Sequence, residues 1–156
     1  MASQKSLRII LHYLGYIMQG LGIVLLSPII VELIYGDYFN CIYFIIPCMI
    51  SFALGTIFVR SYKNNEMLKL KYAMVVSSLA WLWASLISAV IMVFYVNAPF
   101  IDAFFENMSA WTGSGLTLFA DVEILPYSIL FLIKLTPYNI IFFWRNNEKQ
   151  SIFIYF

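Results

Sequence analysis

The chain has 156 residues, of which 63% are hydrophobic, 19% aromatic and only 11% charged. Soluble domains carry about 25% charged residues, so this chain has too few charges to cover a water-facing surface. Nine Lys and Arg residues against eight Asp and Glu leave a net charge of +1, which creates no strong field for polyanions. The composition excludes a soluble enzyme, a nucleic-acid-binding protein and a disordered tail, and predicts an all-α integral membrane protein.

Three apolar stretches are long enough to cross a bilayer, whose hydrocarbon core takes about 20 residues of helix. They cover residues 9–35, 41–59 and 72–96. The first stretch is too long for a signal peptide and no small-residue cleavage site follows it, so we expect it to remain in the mature chain. Pro28 is expected to kink its outer end. We also expect close helix packing at Gly15, Gly20 and Gly22.

The positions of the few charges predict the orientation of these spans. Lys5 and Arg8 precede the first span, and the loop 60–71 is basic, whereas residues 97–123 carry only acidic charges. By the positive-inside rule, the N-terminus and the loop 60–71 are cytoplasmic and the segment 97–123 lies outside. We therefore expect a multi-pass protein of the plasma membrane with a cytoplasmic N-terminus.

The segment 99–111 is predicted to be a helix that enters the membrane without crossing it. Pro99 suits the first turn of a helix, and Asn97 is expected to cap that turn. Apolar residues recur at helical spacing on one face, at Phe100, Phe104, Met108 and Trp111. At 1.5 Å per residue, a helix of this length reaches only about 20 Å, which is too short to span the bilayer.

The residues that follow, from Thr112 to Thr117, read TGSGLT and do not favour a continued helix. Non-helical backbone within a membrane is tolerated only inside protein or along an aqueous cavity. A span, a re-entrant helix, a Gly/Thr loop and a further span form the plan of a P-loop cation pore, where carbonyl rings replace the hydration shell of the ion. Asp102 and Glu106 share a helix face, and are candidates either for acidic groups at the pore mouth or for a solvated surface.

The segment 100–132 also carries a specific pattern of residues. It comprises Asp102, Ala103, Phe105, Glu106, Ser109, Thr112, Gly115, Thr117, Asp121, Leu125 and Pro126. This pattern resembles the first pore loop of the Trk/Ktr/HKT superfamily of potassium uptake proteins, and it is most similar to the prokaryotic TrkH type. The family places two extra spans before its first span–loop–span repeat, which matches the first two spans here. Gly113-Ser114 stands where relatives often carry Thr-Thr, a change that bears on loop stiffness and on the preference between K⁺ and Na⁺.

The resemblance implies selective passage of K⁺ or Na⁺ through a filter of backbone carbonyls. These would come from Thr112, Gly113, Ser114, Gly115 and Leu116, with Gly115 as the central glycine. It also implies a homodimer of full-length subunits and a cytosolic nucleotide-binding regulatory partner. The chain shows no nucleophile–base pair, metal cluster or phosphate-binding loop. We therefore expect neither an enzyme nor a cofactor, and no metal beyond the transported monovalent cation.

We predict three parts in the chain. Residues 1–68 hold two leading transmembrane helices with a basic cytoplasmic loop, residues 69–132 form the first span–pore loop–span repeat, and residues 133–156 form an atypical C-terminal end. The likeness to the family fails after residue 132. A fourth span over residues 123–144 would carry Lys134 and Pro137 near its middle, which makes it an atypical or degraded span.

A cation filter needs about four loops around one axis, and the sequence contains one. We therefore expect a truncated N-terminal fragment of a four-repeat Trk-type uptake protein, whose end results from a frameshift or an early stop. Such a fragment is expected not to conduct by itself. The alternatives are a small homotetrameric P-loop channel subunit, and a non-conducting membrane anchor or accessory subunit in which the Gly/Thr loop is only a turn.

Overall fold

A computed structural model describes residues 2–64, 68–119 and 125–134 of the chain. This described part is helical and contains no strand. Its helical segments that are long and apolar enough to cross a membrane are Gln4–Tyr35, Tyr38–Ser61 and Leu70–Val96. The structure therefore confirms the prediction of an all-α membrane protein with three long spans before the Gly/Thr loop.

The first span consists of two helices, α1 (Ala2–Val24) and α2 (Ser27–Tyr35). Pro28 lies in the first turn of α2, where its missing N–H breaks no hydrogen bond within the helix. The Ser27 hydroxyl donates to the Val24 carbonyl at 2.7 Å, which satisfies one of the acceptors freed at the end of α1. The interruption confirms the kink expected at Pro28.

The second and third spans are α3 (Ile42–Ser61), which follows a short 3₁₀ turn, and α4 (Leu70–Val96). A shorter helix, α5 (Phe100–Thr112), begins directly after Pro99. The expectation that Asn97 caps the start of α5 is wrong. Asn97 has a φ of 54° and ends α4 in the left-handed conformation, and α5 has no side-chain cap.

Helices α1 and α3 approach each other at glycine. A Cβ atom on Gly15 would lie 2.8 Å from the carbonyl oxygen of Gly55, and one on Gly55 would lie 2.6 Å from that of Gly15. A Cβ atom on Gly22 would lie 3.2 Å from the carbonyl oxygen of Cys48. The absence of side chains thus lets the two backbones touch, which confirms the packing expected at Gly15 and Gly22.

Buried hydroxyl groups connect α3 to both neighbouring spans. The Ser51 hydroxyl donates to the Met18 carbonyl of α1 at 2.8 Å and accepts from the Trp83 indole N–H of α4 at 3.1 Å. The Gln19 amide also donates to the Thr56 hydroxyl at 3.0 Å. These hydrogen bonds fix how the three spans are rotated relative to one another. Packing of apolar side chains alone would define that rotation less sharply.

Helix α4 lies between α1 and α5 and positions the short helix. Ala84 packs against both Leu21 of α1 and Trp111 of α5. The Trp111 indole N–H donates to the Ser88 hydroxyl of α4 at 3.1 Å inside the protein. The small side chains of Ala84 and Ser88 thus leave room for the large ring at the end of α5.

Residues 127–134 are helical, and Ile129 and Leu132 of this segment belong to the same buried cluster as Ile91 and Met92 of α4. Lys134 is exposed. The remainder of the expected fourth span, together with Asp121, Glu123, Pro137 and the atypical end, lies outside the described residues.

The contact between α1 and α3 predicts that Gly55→Ala destabilises the chain. The added methyl group meets backbone atoms of Gly15 and Gln19 as well as the Gln19 side chain, and overpacking of this kind costs about 1–3 kcal/mol. Thermal unfolding of the purified chain in detergent measures the loss. Ala53→Leu, on an exposed position of the same helix, is the matched control and should leave the transition nearly unchanged. Equal stability of both variants would contradict this packing.

Candidate functional site

Helix α5 ends in a tight turn that reverses the chain. Gly113 has a φ of 72°, its amide donates to the Ala110 carbonyl at 3.2 Å, and the Ser114 amide donates to the Ser109 carbonyl at 3.0 Å. This pair of bonds is a Schellman motif, which satisfies the last carbonyls of the helix and requires a left-handed residue where glycine stands. The motif also directs the following residues back along α5.

The returning segment, residues 114–119, is non-helical and is held against α5 by one carboxylate. Glu106 Oε2 accepts a hydrogen bond from the Leu118 amide at 3.0 Å and another from the Thr117 hydroxyl at 3.1 Å. Glu106 is only 4% exposed. Its side chain is therefore buried, and it supplies a hydrogen-bond acceptor that this irregular backbone needs.

A second polar contact supports the turn itself. The hydroxyl groups of Ser109 and Ser114 lie 3.0 Å apart in hydrogen-bond contact. The Thr112 hydroxyl donates to the Met108 carbonyl of the preceding turn at 2.8 Å. The hydroxyl side chains of Ser109, Thr112 and Ser114 are thus engaged locally around the turn.

The opposite side of α5 is anchored inside the protein by Asn107. This residue is fully buried, and its amide donates to the Ala103 carbonyl at 2.8 Å and to Met92 Sδ of α4 at 2.9 Å. At the following residue of α5, Met108 Sδ accepts a contact from the Ser85 hydroxyl of α4 at 3.1 Å. Helix α5 is therefore fixed against α4 along the face that does not carry the returning loop.

The structure brings the predicted filter residues together on one exposed stretch. Thr112, Gly113, Ser114, Gly115 and Leu116 are consecutive and all exposed, and the sites where Cβ atoms would stand on the two glycines have no neighbour within 4 Å. Gly115 has a φ of 70°, so both glycines adopt the left-handed backbone. The left-handed backbone at these two positions changes the course of the chain, and the space around both glycines is open.

The two predicted acidic residues differ in environment. Asp102 is half-buried, whereas Glu106, one turn later, is buried and bonded to the loop. Sequence reasoning missed these bonds, although a carboxylate on a short helix followed by a threonine-containing loop is a usable signal for them. Within the described ranges, no group of three or more His, Cys, Asp or Glu residues is arranged to hold a metal ion.

Comparison of the sequence with known proteins identifies relatives of this chain. The chain is 42% identical to an uncharacterized cation transporter of Methanocaldococcus jannaschii over 130 residues, which are 83% of this chain and 27% of that protein. It is 27% identical to the Trk system potassium uptake protein TrkG of Escherichia coli over 129 residues, which are 81% of this chain and 27% of that protein. The chain belongs to the Trk-type superfamily. The resemblance of the segment 100–132 to this superfamily is thereby confirmed.

Each of the two matches covers more than four-fifths of the chain, and a match of that length necessarily includes α5 and the loop 113–119. The chain spans about a quarter of the length of each of these two relatives. No family model matches it, and no solved structure gives a significant match.

The geometry predicts that Glu106→Ala releases the loop from α5. Hydrogen bonds to a charged acceptor contribute roughly 1.5–3 kcal/mol, so the Leu118 amide should exchange its hydrogen roughly 10- to 100-fold faster. Hydrogen–deuterium exchange of the chain in nanodiscs, read at that amide, measures the effect. Asp102→Ala removes a carboxylate one turn earlier that has no bond to the loop and serves as the control. Unchanged exchange in Glu106→Ala would show that the carboxylate does not hold the loop.

Proposed function

We propose that this chain supplies a pore loop for the uptake of potassium, or of another monovalent cation, across the plasma membrane. The carbonyl groups of residues 112–116 line the filter, and Gly115 is its central glycine. One observation supports this most strongly: a helix too short to cross the membrane ends in a turn, and the chain returns as an exposed, irregular segment tied to the helix by Glu106.

The chemistry of the loop suits a weakly bound cation. Its exposed groups are uncharged, so ligands would be carbonyl dipoles that replace a hydration shell without the tight binding of a carboxylate cage. The C-terminal end of α5 points at the turn, and the negative end of the helix dipole favours a cation there. Asp102 remains a candidate for an acidic group near the pore mouth. The Escherichia coli relative is a potassium uptake protein by name, which supports potassium as the ion.

A complete filter requires about four such loops around one axis. The relatives are long enough for further loops, since the segment matched here is 27% of each. We propose that the remaining loops come from a longer polypeptide of which this chain resembles one repeat with its two leading helices. A homodimer of such subunits and a cytosolic nucleotide-binding regulatory partner belong to the same proposal, as does the cytoplasmic position of the N-terminus.

A graft tests whether this loop works as a filter. Residues 100–119 of this chain replace the matching pore helix and loop of TrkG, and the hybrid is produced in a host that lacks potassium uptake. We expect the hybrid to support K⁺ uptake. Gly115→Ala within it should reduce uptake roughly 5- to 30-fold, because a side chain in the left-handed conformation costs about 1–2 kcal/mol.

Ile101→Ala is the matched control in the same graft, since this exposed residue lies on α5 away from the turn. It should transport like the parent hybrid at equal abundance in the membrane. A hybrid that reaches the membrane without transporting, or one in which Gly115→Ala has no effect, would contradict a filter and favour a plain turn. Uptake by the unmodified chain alone, lost in Gly115→Ala, would favour a homotetrameric channel over a single repeat of a longer protein.

A further inference from the structure

A cavity of about 170 Å³ lies at the far end of the first span, separate from the loop after α5. Glu32 of α2 and Asp37 just after it line one side, and Tyr95 of α4 and Ser128 line the other. Exposed aromatic side chains cluster at this end of the bundle, including the stacked rings of Tyr35 and Tyr127, whose centroids are 4.6 Å apart. Such a cluster is typical of the membrane–water interface, where ions from the aqueous phase can enter.

The carboxyl group of Glu32 is the most unusual feature of this cavity. Glu32 is only 3% exposed, and its side chain accepts a hydrogen bond from the Tyr95 hydroxyl, which donates to Oε1 at 2.7 Å. The Asn40 amide donates to the same hydroxyl at 3.1 Å and thereby orients its proton toward Glu32. Within the described ranges, no lysine or arginine forms an ion pair with Glu32. A buried carboxylate with so little compensation is costly unless another positive charge balances it.

Ser128 provides a second, independent indication of a ligand. It is only 2% exposed, it lines the cavity, and its hydroxyl oxygen has no hydrogen-bond partner. The oxygen lies close to the Tyr95 hydroxyl without hydrogen-bond geometry. Buried hydroxyl groups are rarely left unpaired. We therefore expect a group that binds the Ser128 oxygen in the cavity that this residue lines.

We propose that this cavity binds a hard divalent cation, Ca²⁺ or Mg²⁺. The buried Glu32 and the exposed Asp37 supply two carboxylates, Ser128 supplies a neutral oxygen, and no nitrogen or sulfur ligand lines the space within the described ranges. All-oxygen coordination with two acidic ligands matches the preference of these ions. Each water occupies about 30 Å³, so the cavity has room for an ion that keeps several waters, as Mg²⁺ usually does.

A cation at this position would join three parts of the chain. Glu32 lies on α2, Asp37 follows α2, and Ser128 lies in the helical segment that follows the Gly/Thr loop. Tyr95 holds Glu32 from α4, with its own ring stacked on Tyr43. The ion would therefore tie the leading helices to the segment beyond the loop. This proposal does not depend on the loop acting as a filter.

Binding of Tb³⁺, a luminescent substitute for Ca²⁺, tests the site in the purified full chain in detergent. Tyr95 lies at the cavity and can sensitise the bound ion on ultraviolet excitation. We expect saturable luminescence that Ca²⁺ or Mg²⁺ displaces and that K⁺ and Na⁺ at equal concentration do not. The preferred divalent ion is the one that displaces Tb³⁺ at the lower concentration.

Glu32→Gln keeps an acceptor for Tyr95 and removes the charge, so it should weaken Tb³⁺ binding by at least about tenfold. Ser128→Ala should weaken it less, and Ser78→Ala, an exposed serine on α4, should have no effect. If Glu32→Gln does not fold, Asp37→Asn and Ser128→Ala decide the question. Unchanged affinity in the variants that fold, absence of saturable binding, or displacement by K⁺ or Na⁺ alone would overturn the proposal.

Discussion

A helix of thirteen residues cannot cross a bilayer, and the arrangement of the loop that follows α5 depends on that limit. The chain reverses direction where α5 ends, and the polar groups of the backbone there need hydrogen-bond partners. The Schellman turn at Gly113 satisfies the last carbonyls of the helix, and Glu106 accepts a hydrogen bond from the Leu118 amide of the returning segment. Together with the Thr117 hydroxyl, this bond holds the irregular loop against α5.

The same limit explains what α4 contributes. Because α5 is too short to span the bilayer, its position depends on the contacts that it makes along one side. Trp111, bonded to Ser88, and Asn107, bonded to Met92, fix it against α4. Small residues such as Ala84 make that close approach sterically possible. The leading helices hold α4 in turn through the hydrogen bonds of Ser51.

Much of this fold follows from simple features of the sequence. The lengths of the apolar runs predict the three spans, Pro28 predicts the break in the first, and the spacing of aromatic residues after Pro99 predicts α5. The direction of Glu106 was not predictable in the same way. Helical periodicity places Glu106 and Asp102 on one face, but the residues that cover Glu106 come from an irregular loop to which no periodicity applies.

The glycines show a related limit of sequence reasoning. Gly15 and Gly55 are required because two backbones touch, whereas Gly113 and Gly115 have open space around them and are required for their positive φ. The sequence shows glycine in both cases and does not distinguish contact from conformation. Asn97 lies just before α5, and its position in the sequence suggested that it caps that helix. Its φ of 54° instead places it at the end of α4.

The direct test of the central claim is to locate the ion. Tl⁺ replaces K⁺ chemically and gives a strong anomalous X-ray signal, so crystals of the assembly that this chain forms, grown with Tl⁺, would show where monovalent cations bind. We predict anomalous density in direct contact with the carbonyl oxygens of residues 112–116. Tl⁺ bound elsewhere in the same crystals, with none at this loop, would contradict the claim that the loop is a cation filter.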